Sequence, residues 1–116
     1  MRKIKTFLLL FFLSYNFLKP DNVFAFNLQK GELIFNLNCI ACHNGGTNVI
    51  IPEKNLKRLT LEANGMFTKD AIMYQVLNGK NGMPAFGGRL KDIEIEDVAE
   101  YVIFAAEKNF LTYKTK

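Results

Sequence analysis

The sequence predicts a small all-α domain. Three observations carry this: four stretches have apolar residues at helical spacing, no stretch shows sustained strand alternation, and glycine-containing breaks separate the four. The length of 116 residues allows one domain. No internal repeat or low-complexity tract adds to it.

The first residues stand apart from that domain. Arg2, Lys3 and Lys5 precede an apolar run from Phe7 to Leu18, which Lys19-Pro20-Asp21-Asn22 interrupts. Val23-Phe24-Ala25 then offers tolerated residues at cleavage positions, the layout of an export signal. A membrane span needs about 20 apolar residues, so the shorter run predicts cleavage after Ala25. The expected organisation is a signal peptide over 1–25 and one domain over 26–116.

Cleavage changes the charge. The whole chain carries 15 basic and 11 acidic residues, net +4. Residues 26–116 keep 11 basic and 10 acidic residues, net +1. The basic character resides mostly in the leader, and no aromatic-interleaved basic stripe remains, so a nucleic-acid partner is not expected. Domains of this size bury only about 60–65 % of their unfolded surface, which leaves room for a further stabilising element.

Leu28–Asn38 places Leu28, Leu33, Ile34, Phe35 and Leu37 at helical spacing and runs directly into Cys39. Asn44-Gly45-Gly46 ends that helix, since glycine accepts the left-handed backbone of a C-terminus. Residues 47–54 read as loop around Pro52, and a short helix is expected over 55–63, closed by Asn64-Gly65. Thr68 is a good N-cap for a helix over Lys69–Leu77, with Asn78-Gly79 at its end. Four glycines and Pro84 make 79–90 an irregular loop. The last helix starts near Asp92, with Glu94, Glu96 and Asp97 favouring the positive end of its dipole. Its apolar face is Ile95, Val98, Ala99, Val102 and Ala105 or Ala106. The tail from Leu111 has no partner signal.

The chain's two cysteines and single histidine fall together in Cys39-Ile40-Ala41-Cys42-His43. A thioredoxin-type redox pair calls for a βαβ context, and no strand precedes it. A zinc site calls for four ligands, and no further Cys or His exists. A structural disulfide remains permitted after export. The reading that uses all three residues is a covalent c-type haem. Two thiols three positions apart on one helical turn add to the two haem vinyl groups, and the adjacent imidazole becomes the proximal iron ligand.

The sixth iron position then falls to a methionine, a lysine or nothing. Met1 leaves with the leader, Met73 sits among Ile72, Val76 and Leu77 as a core residue, and Met66 reads as loop or core. Met83 stands in NGKNGMPAFGG, held extended by Pro84. Such a loop can lie across a haem face and present sulfur, so Met83 is the expected distal ligand. His/Met ligation raises the potential and leaves no open site for a substrate. The expectation is an electron carrier and not an enzyme.

GELIFNLNCIACHNGG, YQVLNGKNGMPAFGGRL and DVAEYVIFAAE together resemble the cytochrome c6 family, from about Phe26 to Phe110. The resemblance implies a class I cytochrome c fold, about four helices around one covalently bound haem (iron). It implies transfer from cytochrome f of the cytochrome b6-f complex to photosystem I, by a monomer in the thylakoid lumen. Cys39 and Cys42 match the attachment cysteines, His43 the proximal and Met83 the distal ligand. Gln75 matches a glutamine of the haem environment that keeps the potential high, and Arg89 an arginine of photosystem I docking. Gly31, Phe35 and Tyr101 match the crossing of the first and last helices. Phe110 departs from the family's frequent terminal tryptophan and is followed by six more residues. No additional transit region precedes the signal, and 12 lysines against three arginines point to an AT-rich genome such as a plastid's. The alternative with the same chemistry is a bacterial periplasmic class I cytochrome c feeding a terminal oxidase.

Overall fold

The computed structural model describes residues 23–111. Among the described residues five α-helices follow one another: α1 Val23–Asn38, α2 Ile40–His43, α3 Arg58–Ala63, α4 Lys69–Asn78 and α5 Asp92–Glu107. Short 3-10 turns occupy Asn44–Gly46 and Pro52–Lys54. Among the described residues there is no sheet, only two isolated bridges in the loop after α4. The expected export segment lies outside the described residues except for its last three, which begin α1; most of the tail also lies outside them.

The four expected helices are present, with two differences. The first is broken at Cys39, whose backbone (φ −117°, ψ −27°) departs from the helix on either side. Helical bonding nonetheless carries across, from Cys39 N to Phe35 O at 2.8 Å and from His43 N to Cys39 O at 2.9 Å. The short helix starts at Arg58, later than expected, because Asn55 and Lys57 after the Pro52 turn hold extended backbone. In α4 the Thr68 side chain accepts from Ala71 N as an N-cap should, and Gly79 ends the helix at φ 64°.

The α1–α5 packing is the most extensive of the fold. Ile34 and Phe35 of α1 bury against Ile95, Val98, Ala99, Val102 and Ala106 of α5; Leu61 of α3 and Ile72 and Val76 of α4 close the core. At the crossing, a Cβ on Gly31 would strike the Asp97 carbonyl and lie 2.7 Å from Tyr101 Cβ. Only glycine permits that approach. The Phe35 ring packs on Tyr101 at 5.3 Å and on Phe110 at 5.9 Å between centroids. Phe110 and Asn109 both adopt positive φ (54° and 53°), which folds the Phe110 ring back onto Gly46. Phe110 thus covers the Gly46 turn as well as Phe35.

Asp97 corrects the reading of the α5 start. It is 1 % exposed, in the helix crossing, and its Oδ2 accepts no hydrogen bond; the Lys30 ammonium stands 3.9 Å away. Burial pushes its pKa above the ordinary carboxylate range, against the weaker pull of Lys30. The unfolded carboxyl therefore loses its proton at lower pH than the folded one. Asp97 lowers stability progressively as pH rises from the ordinary carboxylate range through its raised value. Asp97→Asn should accordingly be more stable than the parent at neutral pH, and the gain should vanish in acid. A gain of ~1 kcal/mol would raise the melting temperature by about 4–8 °C in a domain of this size. A parent that melts higher at neutral pH would show that the Lys30 pair outweighs desolvation.

Candidate haem site

The break at Cys39 and the Gly45-Gly46 turn position the Cys-x-x-Cys-His string. Gly45 and Gly46 adopt φ 62° and 78°, turning the chain so that Thr47 returns to His43. The His43 Nδ1 lies 2.8 Å from the Thr47 carbonyl. A carbonyl only accepts, so Nδ1 carries a proton, and in the neutral ring Nε2 is then the nitrogen with the lone pair. Thr47 is itself held by its N–H and hydroxyl, which donate to Asn44 O at 3.2 and 2.7 Å.

Cys39 and Cys42 are both free thiols, half-buried. Burial, and then the neighbouring Cys42, push the Cys39 thiol up to about 11. It keeps its proton at neutral pH, unlike the low-pKa sulfur of a redox Cys-x-x-Cys pair. Among the described residues no group of three His, Cys, Asp or Glu side chains is placed to hold a metal ion.

The loop after α4 is fastened at both ends. Phe86 N donates to Val76 O at 2.9 Å and Gly87 N to Leu77 O at 3.0 Å, satisfying carbonyls at the helix end. Gly79 at φ 64° is required because a Cβ there would lie 2.6 Å from Ala85 N. Lys80 and Met83 exchange two backbone bonds of 3.1 and 3.0 Å across a four-residue turn. This leaves Met83 half-buried, with Gln75 Nε2 of α4 donating to its sulfur at 3.7 Å.

Cys39, Cys42, His43, Gln75 and Met83 all line one cavity of about 370 Å³. Its volume falls in the ~300–1,000 Å³ range of small-molecule sites. Phe35, Leu61, Ile72, Val76, Phe86, Val98 and Val102 supply apolar walls, and Met66 also lines it, whereas Met73 does not. Arg89 stands outside the cavity, exposed, with its guanidinium 4.9 Å over the Phe86 ring. Sequence reasoning missed the polar lining: Lys54 and Asn64, joined at 2.8 Å, together with Asn48 and Asn55. A cation beside the Pro52 turn was the only signal that could have found Lys54. The donor set fits a haem: two thiols, an imidazole whose Nδ1 is tied to a carbonyl, a thioether, apolar walls, and a cation and amides for carboxylates.

A family model described as "Cytochrome C oxidase, cbb3-type, subunit III" matches residues 26–102. The cytochrome c6 of Bumilleriopsis filiformis is 61 % identical over 84 residues, 72 % of this chain and 98 % of that protein. The cytochrome c6 of a Synechococcus strain is 46 % identical over 110 residues, 95 % of this chain and 98 % of that one. The crystal structure of cytochrome c6 from the diatom Phaeodactylum tricornutum superposes with a TM-score of 0.69 at 54 % identity, covering 71 % of this chain and 97 % of that one. The chain therefore belongs to the cytochrome c domain family and, within it, to the cytochrome c6 proteins, electron carriers with one covalently bound haem c and not enzymes.

Proposed function

We propose that Cys39 and Cys42 hold the haem, that His43 and Met83 ligate its iron, and that the protein carries electrons from cytochrome f of the b6-f complex to photosystem I. One observation carries the reading. The Cys-x-x-Cys-His string and Met83 open onto the same apolar cavity, with His43 Nδ1 tied to the Thr47 carbonyl. When bound, the haem supplies one-electron ferric/ferrous chemistry. The residues of the chain do the rest. Thr47 fixes the imidazole tautomer, the Lys80–Met83 turn presents sulfur, and the apolar walls exclude water, which favours the state of lower charge.

Gln75 tunes the site by donating to the Met83 sulfur. The hydrogen bond draws density from the thioether, which weakens its donation to ferric iron more than to ferrous. Gln75→Leu should therefore lower the reduction potential. A weak bond of about 0.5–1 kcal/mol corresponds to a drop of about 20–40 mV for one electron. A redox titration giving an unchanged or higher potential would remove Gln75 from this role.

In the same reading residues 1–25 are cleaved for export to the thylakoid lumen of a plastid. The Synechococcus relative aligns with 95 % of this chain, and thus with most of that leader. Cleavage after Ala25 would shorten α1 by its first three residues. Arg89, exposed beside the buried Phe86, is the proposed docking contact for photosystem I. The test is electron donation by the reduced holoprotein to isolated photosystem I, with Arg89→Gln slowing it at unchanged potential. The name of the matched family model favours a second reading, a periplasmic donor to a terminal oxidase. Fast turnover with such an oxidase and none with photosystem I would select that one.

A further inference from the structure

The chain contains four Asn-Gly dipeptides, at 44, 64, 78 and 81, and the structure treats one of them differently. The Asn64 carboxamide donates to Thr60 O and accepts from Lys54, while Gly65 N donates to Glu62 O at 3.1 Å. The Asn78 carboxamide donates to Tyr74 O and Gly79 N donates to Gln75 O, both at 2.8 Å. The Asn44–Gly45 peptide lies in a 3-10 turn, its carbonyl taking both the N–H and the hydroxyl of Thr47. Asn81 and Gly82 line the cavity and are both exposed, and among the described residues neither the Asn81 carboxamide, the Asn81 carbonyl nor the Gly82 N–H makes a hydrogen bond. Asn81 also holds φ 53° at the first central position of the Lys80–Met83 turn, where glycine is the favoured residue.

We infer that Asn81-Gly82 is a site of spontaneous deamidation that ages the loop carrying Met83. The backbone nitrogen of Gly82 attacks the Asn81 carboxamide carbon, forming a succinimide and releasing ammonia. Water then opens the ring at either carbonyl, leaving aspartate or isoaspartate at position 81. The sum is asparagine plus water to acid plus ammonia, and no other reactant is needed. Glycine at the next position leaves the attacking nitrogen unhindered, and neither Asn81 nor Gly82 makes a hydrogen bond of its own that ring closure must break. At the other three sites one or two bonds oppose that motion, and each 1.36 kcal/mol of added barrier is a tenfold slower rate.

Isoaspartate adds a backbone methylene inside a turn whose two Lys80–Met83 bonds, of 3.1 and 3.0 Å, set the place of Met83. Both products also put a carboxylate beside Lys80. The effect on the haem rests on Met83 being the ligand; the chemistry at Asn81 does not.

The test is to age the haem-loaded protein in mildly alkaline buffer, with peptide mass mapping and enzymatic methyl labelling of isoaspartate. The Asn81 peptide should convert about tenfold or more faster than those bearing Asn44, Asn64 and Asn78. Equal or faster conversion at any of these, or an unchanged Asn81, overturns the site. The sulfur-to-iron charge-transfer band should fall in step with isoaspartate, and Asn81→Gln should keep both constant over the same time. A band that persists while isoaspartate accumulates overturns the link to the ligand loop. A band retained by Met83→Ala would instead refute the ligand reading and leave the deamidation result standing.

Discussion

Met83→Ala will leave the haem attached and open its sixth position, so that carbon monoxide binds the ferrous form and the reduction potential falls. Attachment survives because Cys39 and Cys42 lie on the α1–α2 side of the cavity, in a different segment from the Met83 loop. Met83→His should also keep the haem while lowering the potential, because imidazole favours ferric iron more than a thioether does. Axial-ligand identity spans about 0.8 V across haem proteins, so a change on the order of 0.1 V or more is expected. Each ~59 mV is about 1.4 kcal/mol for one electron, well within the resolution of a redox titration. Of the two remaining methionines in 26–116, Met66 is the stricter control, since it also lines the cavity. Its N–H bonds Leu61 O at 2.7 Å and it packs against the core. Met66→Leu should shift stability slightly and the potential little. If Met83→Ala retains the potential and the charge-transfer band while Met66→Leu abolishes both, the ligand is Met66.

What was legible in the sequence was whatever depends on neighbours along the chain. The α5 face is one such case: Ile95, Val98, Ala99, Val102, Ala105 and Ala106 are all buried as their spacing requires. The Thr68 cap and the Gly79 stop are local signals of the same kind. The cavity residues were legible because Cys39, Cys42 and His43 form one short string and Met83 precedes a proline. The rest depends on contacts between distant segments. Asp97 looked like a solvated acid at a helix start, yet the Gly31 approach places it in the α1–α5 crossing, 1 % exposed. The bond from Gln75 to the Met83 sulfur arises only when the loop folds back on α4. Phe110 packs on Gly46 and Phe35 through two positive-φ residues that no periodicity announces.

Without attached haem the chain will lose its cooperative fold, and Cys39→Ala combined with Cys42→Ala is the variant that shows it. The cavity of about 370 Å³ sits where a larger domain would have core. At about 24 cal/mol per Å³, a closed void of that size would cost ~9 kcal/mol, an upper bound for this open cavity. A domain's whole stability is about 5–15 kcal/mol, and for 91 residues at 0.05–0.15 kcal/mol each it is about 5–14 kcal/mol. Water entering the open mouth recovers part of the cost, but even half of it, about 4.5 kcal/mol, approaches the lower bound of stability. Phe35, Leu61, Ile72, Val76, Phe86, Val98 and Val102 all face this cavity, so the loss falls on α1, α3, α4 and α5 together. The double variant should show weak helical circular dichroism and no sharp thermal transition. Either single variant keeps one thiol for attachment and should melt cooperatively at a lower temperature than the parent. A double variant that melts cooperatively with native-like helicity would show that the α1–α5 crossing alone holds the fold, with haem as a passenger.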